Sequence, residues 1–297
     1  METSPSTALH VSVIVVTHQS AAEIAACLSS LREHGGSRVD EVIVVDNAST
    51  DGTCDLVSRD HPEVRLVRGT KRQGFAANCN TGARLATGNT LFLLNPDGRV
   101  RPGAIDLLVE RLDSDDSIGI VGPRLVYPDG SLQPSARRFP TVGATVIRRT
   151  PLRWLLRSSR HESRHLMLDR PGVHTATEPY RVDWLLGAAL AISSDLYTRL
   201  GGMDEGYRLY CEDIDLCWRT WEAGLEVVQV PEAVVEHDLS ELTRHRFLTR
   251  ATAWHFRSMA RFALRHGLRP PTLPPAVAEK PADRAAAVLS GSLRLGG

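Results

Sequence analysis

The chain of 297 residues predicts an α/β fold, a mostly parallel sheet with helices on both faces. Three observations carry that expectation. First, β-branched or leucine-rich runs recur at Val11 to Val16, Glu41 to Val45 and Leu91 to Leu94, and such near-continuous apolar runs suit strands covered on both faces. Second, helix-period segments intervene between the runs, as right-handed crossovers require. Third, the runs stop abruptly on polar residues, at Thr17-His18-Gln19, Asp46 and Asn95-Pro96-Asp97. In open α/β sheets that C-terminal strand edge is where ligands bind.

Taken in order, Val11 to Val16 is a central parallel strand. Ala21 to Arg32 carries Ile24, Ala25, Leu28 and Leu31 on one stripe and ends at Gly35-Gly36, which reads as a helix with a glycine stop. Glu41 to Asp46 is the second strand, and the short polar side chains of Asn47 to Gly52 are expected to cap the next helix. Val64 to Val67 is a third, short strand. Gly74 to Ala83 is a glycine-started helix, and Gly88 precedes the strand Leu91 to Leu94. Pro96 cannot donate to a central ladder, so that strand ends there. Pro102 to Leu112 is the next helix, with proline in its first turn.

Beyond Val121 the period weakens, and Tyr127-Pro128-Asp129-Gly130 reads as a turn. Arg181 to Ile192 returns to the core, Gly201 to Glu205 is a turn, and Tyr210 to Arg219 opens a helix ended by Gly224. Val227 to Val230 is a last strand leading to Glu236-His237-Asp238. Phe247 to His266 has the pattern of a basic amphipathic helix. The expected organisation is a flexible N-terminus over 1–10, two halves of one domain at 11–125 and 126–240, a C-terminal helix within 241–267 and a loose Pro- and Ala-rich tail over 268–297.

Composition narrows the partners. Lys+Arg and Asp+Glu both number 35, which gives no argument for nucleic acid or for bulk attraction to a membrane. Locally, Arg137 to Arg170 holds nine arginines against Glu162 and Asp169. Within it Pro151 to Arg157 mixes Trp154 and leucines with arginine as an interfacial segment would; a solvated basic loop is the plain alternative. Five cysteines without a C-x-x-C pair argue against a disulfide framework and a zinc knuckle, and fit a reducing cytosol. Met1 to His10 lacks the profile of a signal peptide. The longest apolar run, Trp184 to Ile192, is far short of the roughly 18 to 20 residues of a membrane-spanning helix.

Four places bring chemistry to the strand ends. Asp46 either projects into the crevice or belongs to a helix cap through Asn47 or Ser49. Asp97, with no basic residue before Arg99, suits a divalent cation such as Mg²⁺ that bridges phosphate oxygens with few protein carboxylates. Glu212 and Asp213 diverge by about 100° on a helix, so one can accept a proton while the other shapes the pocket and raises its pKa. His237 is either structural or a metal ligand. Asp215 is expected to pair with Arg219 at i,i+4. His161-Glu162-Ser163-Arg164-His165 matches H-E-x-x-H literally, but its arginine-rich flanks lack the apolar helix face of a zincin. Asn47-Ala48-Ser49 is a glycosylation sequon by pattern only, and neither Walker A nor G-x-G-x-x-G is present.

Six segments in order, from Val-Ser-Val-Ile-Val-Val-Thr-His-Gln through Val-Val-Asp-Asn-Ala-Ser-Thr-Asp-Gly, Gly-Phe-Ala-Ala-Asn-Cys-Asn-Thr-Gly, Leu-Leu-Asn-Pro-Asp-Gly and Leu-Leu-Gly-Ala-Ala-Leu to Tyr-Cys-Glu-Asp-Ile-Asp-Leu-Cys-Trp-Arg, closely resemble family 2 glycosyltransferases of the GT-A fold. The resemblance covers residues 11–265. The Asn-Pro-Asp form, Arg137-Arg138-Phe139-Pro140 and Glu-Asp-x-Asp-Leu look most like the rhamnosyltransferase branch, which includes enzymes that add rhamnose to polyprenyl-diphosphate-linked N-acetylglucosamine.

The resemblance implies a Rossmann-like sheet with a C-terminal acceptor-binding part, and a nucleotide-diphosphate sugar donor, L-rhamnose carried by dTDP being the expected one. Thr17, Asp46, Asn47, Gly74, Asn78, Asn95 and Asp97 would line the donor site. Asp97 would be the surviving acid of the D-x-D metal motif and would hold Mg²⁺ or Mn²⁺ with His237. Asp213 would be the general base of the Glu212-Asp213 pair, and Trp184, Gly187, Arg137 and Arg138 would face a glycan or lipid-linked saccharide acceptor. Asn95 and Pro96 depart from D-x-D, leaving one metal carboxylate where the family has two. A cytoplasmic protein, with peripheral attachment to the inner face of the membrane, is the expected setting. A transferase of another UDP- or GDP-sugar and a non-catalytic nucleotide-sugar-binding protein are the alternatives.

Overall fold

The computed structural model describes residues 10–139, 160–169, 173–238 and 250–267. Strand β1 (Val11–Thr17) is buried along its whole length and pairs in parallel with β2 (Val39–Asp46) and β4 (Thr90–Leu94). β3 (Arg65–Arg68) adds in parallel beyond β2. Side chains alternate between two cores: Ile14, Val16, Leu91 and Leu93 enter one, while Val13, Val15, Phe92 and Leu94 enter the other. Both faces are therefore dry, which is why these strands show no apolar and polar alternation.

Helices α1 (Ile24–His34), α2 (Thr53–Asp60) and α4 (Ala104–Asp113) cover the second face, whereas α3 (Phe75–Leu85) covers the first. The remaining strands make the sheet mixed. β11 (Ala189–Ser193) runs antiparallel between β4 and β6 (Ile118–Val126). β12 (Glu226–His237) lies parallel to β6 and antiparallel to β5 (Gly98–Val100). The order is β3-β2-β1-β4-β11-β6-β12-β5, with β7 (Leu132–Gln133) on β6 and β9 (Tyr180–Arg181) on β12. A two-stranded sheet joins β8 (Ala136–Arg137) to β10 (Trp184–Leu185). Helices α5 (Arg160–His165), α6 (Ser194–Arg199), α7 (Glu212–Glu222) and α8 (Arg250–His266) complete the described elements.

Three local readings change. The weak period beyond Val121 conceals the nine-residue β6, whose pattern is broken by Gly122; a Cβ there would lie 2.8 Å from Leu185 Cδ1, so glycine allows the close approach. The last strand runs past Val230 to His237 because the register shifts between Val230 and Val234, a bulge that absorbs Pro231. Neither Asn47 nor Ser49 caps α2. Gly52 stands at its N-cap with φ 90°, while Asp51 Oδ1 accepts from the Thr53 amide at 3.1 Å.

Helix α8 turns its apolar side to the protein body. Phe262 meets Trp218 edge-on at 5.3 Å, and Ser258 donates to the Leu209 carbonyl at 2.9 Å. Leu264 (88 % exposed) and Phe256 point outward. The expected Asp215–Arg219 pair forms, with Arg219 Nε donating to Asp215 Oδ2 at 2.7 Å, and α8 adds to it through His266 Nε2 at 2.7 Å from Oδ1. Among the described residues no helix is long and apolar enough to cross a membrane. The interfacial segment around Trp154, the start of the basic helix at Phe247, the N-terminal residues 1–9 and the tail over 268–297 lie outside the described residues.

Asp215 is fully buried between two cations and a histidine. Removing it leaves Arg219 buried without its counter-charge, so Asp215→Ala is expected to lose about 3 to 5 kcal/mol in denaturant unfolding. A loss below about 1 kcal/mol would show that the cluster does not hold α8 to α7.

Candidate active site

The C-terminal edge of the sheet carries the residues singled out above. Thr17 and Asp46 are register partners at the ends of β1 and β2. Thr17 Oγ1 donates to Asp46 Oδ1 at 2.9 Å, and the Ser49 amide donates to Oδ2 at 2.8 Å. Asp46 is 1 % exposed, so both oxygens are committed to the turn that shapes this end of the crevice. Asn47 clasps the loop after β3: its Oδ1 accepts from the Gln73 amide at 2.7 Å and its Nδ2 donates to the Gln73 carbonyl at 3.1 Å. Asn78 Nδ2 donates to the Gly74 carbonyl at 2.8 Å. Thr17, Asp46, Asn47 and Asn78 are all buried and build the rim.

At the other end, β5 pairs with β12 so that Gly98 lies opposite His237. This sets His237 Nε2 3.3 Å from Asp97 Oδ1. His237 Nδ1 lies 2.8 Å from Gln133 Oε1, and Asn95 Nδ2 lies 3.3 Å from Nε2. With Gln133 Oε1 as acceptor, Nδ1 donates to it, and the other ring nitrogen, Nε2, is the one turned to Asp97 and Asn95. Among the described residues no three metal-ligating side chains cluster. Asp97 and His237 are two groups of the kind that would hold a divalent cation.

Between these ends stands the acidic pair. Asp213 Oδ2 accepts from the Gly187 amide at 3.0 Å, and Oδ1 from the Ile214 amide at 2.9 Å. Next along the chain, the Ala188 carbonyl accepts from the Asn95 amide at 2.8 Å. One short backbone bridge thus joins Asp213 to the Asp97–His237 pair. A Cβ at Gly187 would lie 3.0 Å from Asp213 Cβ, so glycine is what admits the carboxylate. Glu212 departs in another direction and is 6 % exposed, its Oε2 having no hydrogen-bond partner. Burial, and then the Asp213 charge, push the Glu212 carboxyl up to about 8. Burial also raises Asp213, opposed by the Gly187 and Ile214 amides and by Arg137.

Arg137 and Trp184 are neighbours because β8 pairs with β10; the guanidinium carbon is 5.2 Å from the indole centroid. Trp184 is buried, and its Nε1 donates to the Arg138 carbonyl at 2.9 Å, so it supports this wall from within. Arg138 turns away to Asp169 at 2.8 Å. The H-E-x-x-H stretch coincides with the short α5; His165 packs near Trp184, while the side chains of His161 and Glu162 lie outside the described residues. None of the five cysteines forms a disulfide. Gln133 escaped the sequence reading: it sits in a two-residue strand after a turn, and a lone glutamine carries no signal of its partner 104 residues away.

A family model described as Glycosyl transferase family 2 matches residues 12–185. The N-acetylglucosaminyl-diphospho-decaprenol L-rhamnosyltransferase of Mycobacterium tuberculosis (strain ATCC 25618 / H37Rv) is 29% identical over 272 residues, covering 86% of this chain and 84% of the relative. Among solved structures, GalNAc-T7 with UDP, GalNAc and Mn2+ superposes with a TM-score of 0.63 at 18% identity, over 87% of this chain and 48% of that one. The mannosyltransferase PcManGT of Pyrobaculum calidifontis, in complex with GDP-Man and Mn2+, gives 0.59 at 24% identity, over 91% and 67%.

Two outcomes are expected from this geometry. Gln133→Leu frees the His237 ring and should weaken Mn²⁺ binding by about tenfold or more in a calorimetric titration; unchanged affinity would mean that His237 is no ligand. Glu212 has a folded pKa above its unfolded one, so it lowers stability as pH rises from about 5 to 8. Glu212→Gln should remove that slope and raise the melting temperature at pH 8 by about 3 to 6 °C. Parallel melting profiles for the two proteins from pH 5 to 8 would refute it.

Proposed function

The chain belongs to glycosyl transferase family 2, and on that premise we propose that it is an inverting rhamnosyltransferase taking L-rhamnose from dTDP-rhamnose to a hydroxyl of a polyprenyl-diphosphate-linked saccharide. The observation that carries the catalytic part of this reading is Asp213, held by the Gly187 amide at 3.0 Å and bridged through Ala188 to Asn95. A carboxylate fixed in this way and raised by burial is suited to take a proton. The sugar and acceptor rest on the mycobacterial relative, whose name specifies rhamnose and a prenyl-diphosphate-linked N-acetylglucosamine and whose match runs along most of both chains.

In this reading Asp213 takes the proton of the acceptor hydroxyl. The hydroxyl oxygen bonds to the anomeric carbon as the carbon–oxygen bond to the diphosphate breaks, and the nucleoside diphosphate leaves with the electron pair. A single displacement inverts the anomeric centre. Asp97 and His237 would hold a divalent cation, which would supply neutralisation of the charge that grows on the leaving diphosphate. Burial keeps the Asp213 carboxyl above the ordinary aspartate range, with the buried Glu212 beside it in its neutral form. A cytoplasmic enzyme attached peripherally to the inner face of the membrane, serving cell-envelope polysaccharide synthesis, agrees with such an acceptor.

The test is release of nucleoside diphosphate across a panel of donors. dTDP-rhamnose should turn over with a prenyl-diphosphate-linked acceptor; absence of turnover with any dTDP-sugar ends the rhamnose assignment, and turnover with a UDP- or GDP-sugar selects the alternative transferase. Asp213→Asn should lower kcat by about 10² to 10⁴ with donor binding retained. The wild-type rate should rise with pH along an acid limb above the ordinary aspartate range, because the base must lose its proton at a raised pKa. No measurable transfer in either the wild type or the variant would leave only a nucleotide-sugar-binding protein.

A further inference from the structure

Two separate segments converge on the indole of Trp254 in α8. Arg72, in the loop after β3, places its guanidinium carbon 5.8 Å from the ring centroid, and Arg208, in the loop before α7, lies at 4.9 Å. Both arginines are exposed, and no carboxylate among the described residues bonds either of them. Their neighbours differ. On the same helix Arg261 and Arg265 both bond to Asp204, and across the sheet Arg99 and Arg101 both bond to Glu236. Two like charges drawn to one aromatic ring without a counter-ion repel each other, and the ring compensates only in part. An anion between them removes that cost.

The backbone beneath both arginines is fixed. Gln73, next to Arg72, is held at both of its backbone groups by Asn47. The Arg208 carbonyl accepts from the Phe75 amide at 3.2 Å, and a Cβ on Gly74 would lie 3.0 Å from the Tyr207 carbonyl oxygen, so the two loops are in contact. On the other side, Ser258 bonds the Leu209 carbonyl, and the rings of Tyr210 and His255 meet edge-on at 5.1 Å. Guanidinium groups stacked on an indole keep their N–H edges for bidentate bonds to phosphate oxygens. A fixed frame with two such edges has the form of a diphosphate site.

Position assigns the diphosphate. The rim runs from Asp46 and Asn47 through Gln73 and Gly74 to Arg208, and then to Asp213 five residues further on. The pair suited to the donor's leaving group, Asp97 and His237, lies beyond Asp213 on the Gly187–Ala188–Asn95 side. The Arg72 loop follows β3 and Asp97 follows β4, and β2 and β1 lie between those strands, so an anion at Arg72 and Arg208 is set apart from the Asp97–His237 pair. We infer that Arg72, Arg208 and Trp254 form a clamp for the diphosphate of the lipid-linked acceptor. This inference rests on the transferase reading for the identity of its ligand.

Direct binding tests it apart from turnover. Calorimetry on the full chain in EDTA would compare farnesyl diphosphate with farnesol. The diphosphate should bind about tenfold or more tightly over the alcohol, and Arg72→Ala or Arg208→Ala should each remove about tenfold of that affinity. Trp254→Leu should weaken binding with both arginines present, and melting curves would check that each variant is folded. Binding that is unchanged in all three variants overturns the clamp. Displacement of farnesyl diphosphate by dTDP also overturns it, by making the site the donor's. Loss of binding to phosphatidylglycerol vesicles in the variants, with farnesyl diphosphate affinity intact, overturns it in favour of a membrane surface. In a transfer assay the acceptor KM should rise about tenfold with the donor KM unchanged. A chain that binds the diphosphate through these residues yet transfers no rhamnose would refute the sugar assignment and leave the clamp standing.

Discussion

Strand β5 is only three residues long, and its antiparallel pairing with the end of β12 sets Gly98 opposite His237. The Asp97–His237 pair depends on this junction. Asp97 and His237 stand 140 residues apart in the chain, and only the junction fixes Nε2 beside Oδ1. It is held from several sides. Arg99 and Arg101 both bond Glu236 across it, the Asp97 carbonyl accepts from the Asp238 amide, and Ser30 Oγ accepts from the Val100 amide. A Cβ at Gly98 would stand 2.6 Å from Leu94 Cδ1, so the turn out of β4 closes only around glycine. The bulge at Pro231 lets β12 leave the β6 register and still reach this point.

The carboxylates of the site divide their work by environment. Asp46 is saturated by a hydroxyl and an amide and holds a turn. Asp215, equally buried, is saturated by cations and holds two helices, and its pKa is lowered by His266 and Arg219 in spite of burial. Glu212 has burial without a partner for Oε2, and its proton stays on well above the usual range. Asp213 is intermediate, with two backbone donors and an arginine in opposition to burial. Side chains of one chemistry thus become a strut, a clasp, a neutral neighbour and the proposed base, according to which hydrogens face them.

The sequence revealed the parallel core because both faces of β1, β2 and β4 are dry, and continuous apolar runs record that directly. Asp46, Asp97 and the Glu212-Asp213 pair were legible for a related reason: each interrupts or follows a strongly patterned element. What was hidden lies in contacts between segments. Gln133 and Asn95 matter through a histidine more than a hundred residues away in chain order. β6 was obscured by glycines that serve close packing, and β12 by a proline that a bulge accommodates. The pattern of α8 was read correctly as amphipathic, but amphipathicity does not name the surface that receives the apolar face. Here the protein body takes it, through Trp218 and Asp215.

That docking bears on the base itself. Tyr210 and Cys211, immediately before Glu212, adopt φ values of 69° and 72°, a region that costs a side-chain-bearing residue about 1 to 2 kcal/mol. Two such residues in succession turn the chain into α7 so that Glu212 faces inward and Asp213 reaches the Gly187 amide. Helix α8 holds the turn: Met259 touches Cys211 through sulfur at 3.3 Å, His255 meets Tyr210, and Ser258 bonds Leu209. Its far end anchors to α7 through His266 and Asp215. The unfavourable backbone is therefore sustained from outside the sheet, and in the proposed mechanism the C-terminal helix supports Asp213 although it contributes no residue to the Asp213–Gly187 contact. The Glu-Asp-x-Asp spacing follows from the same arrangement: Asp213 works at the crevice, and two residues later Asp215 fastens the helix that keeps Asp213 there.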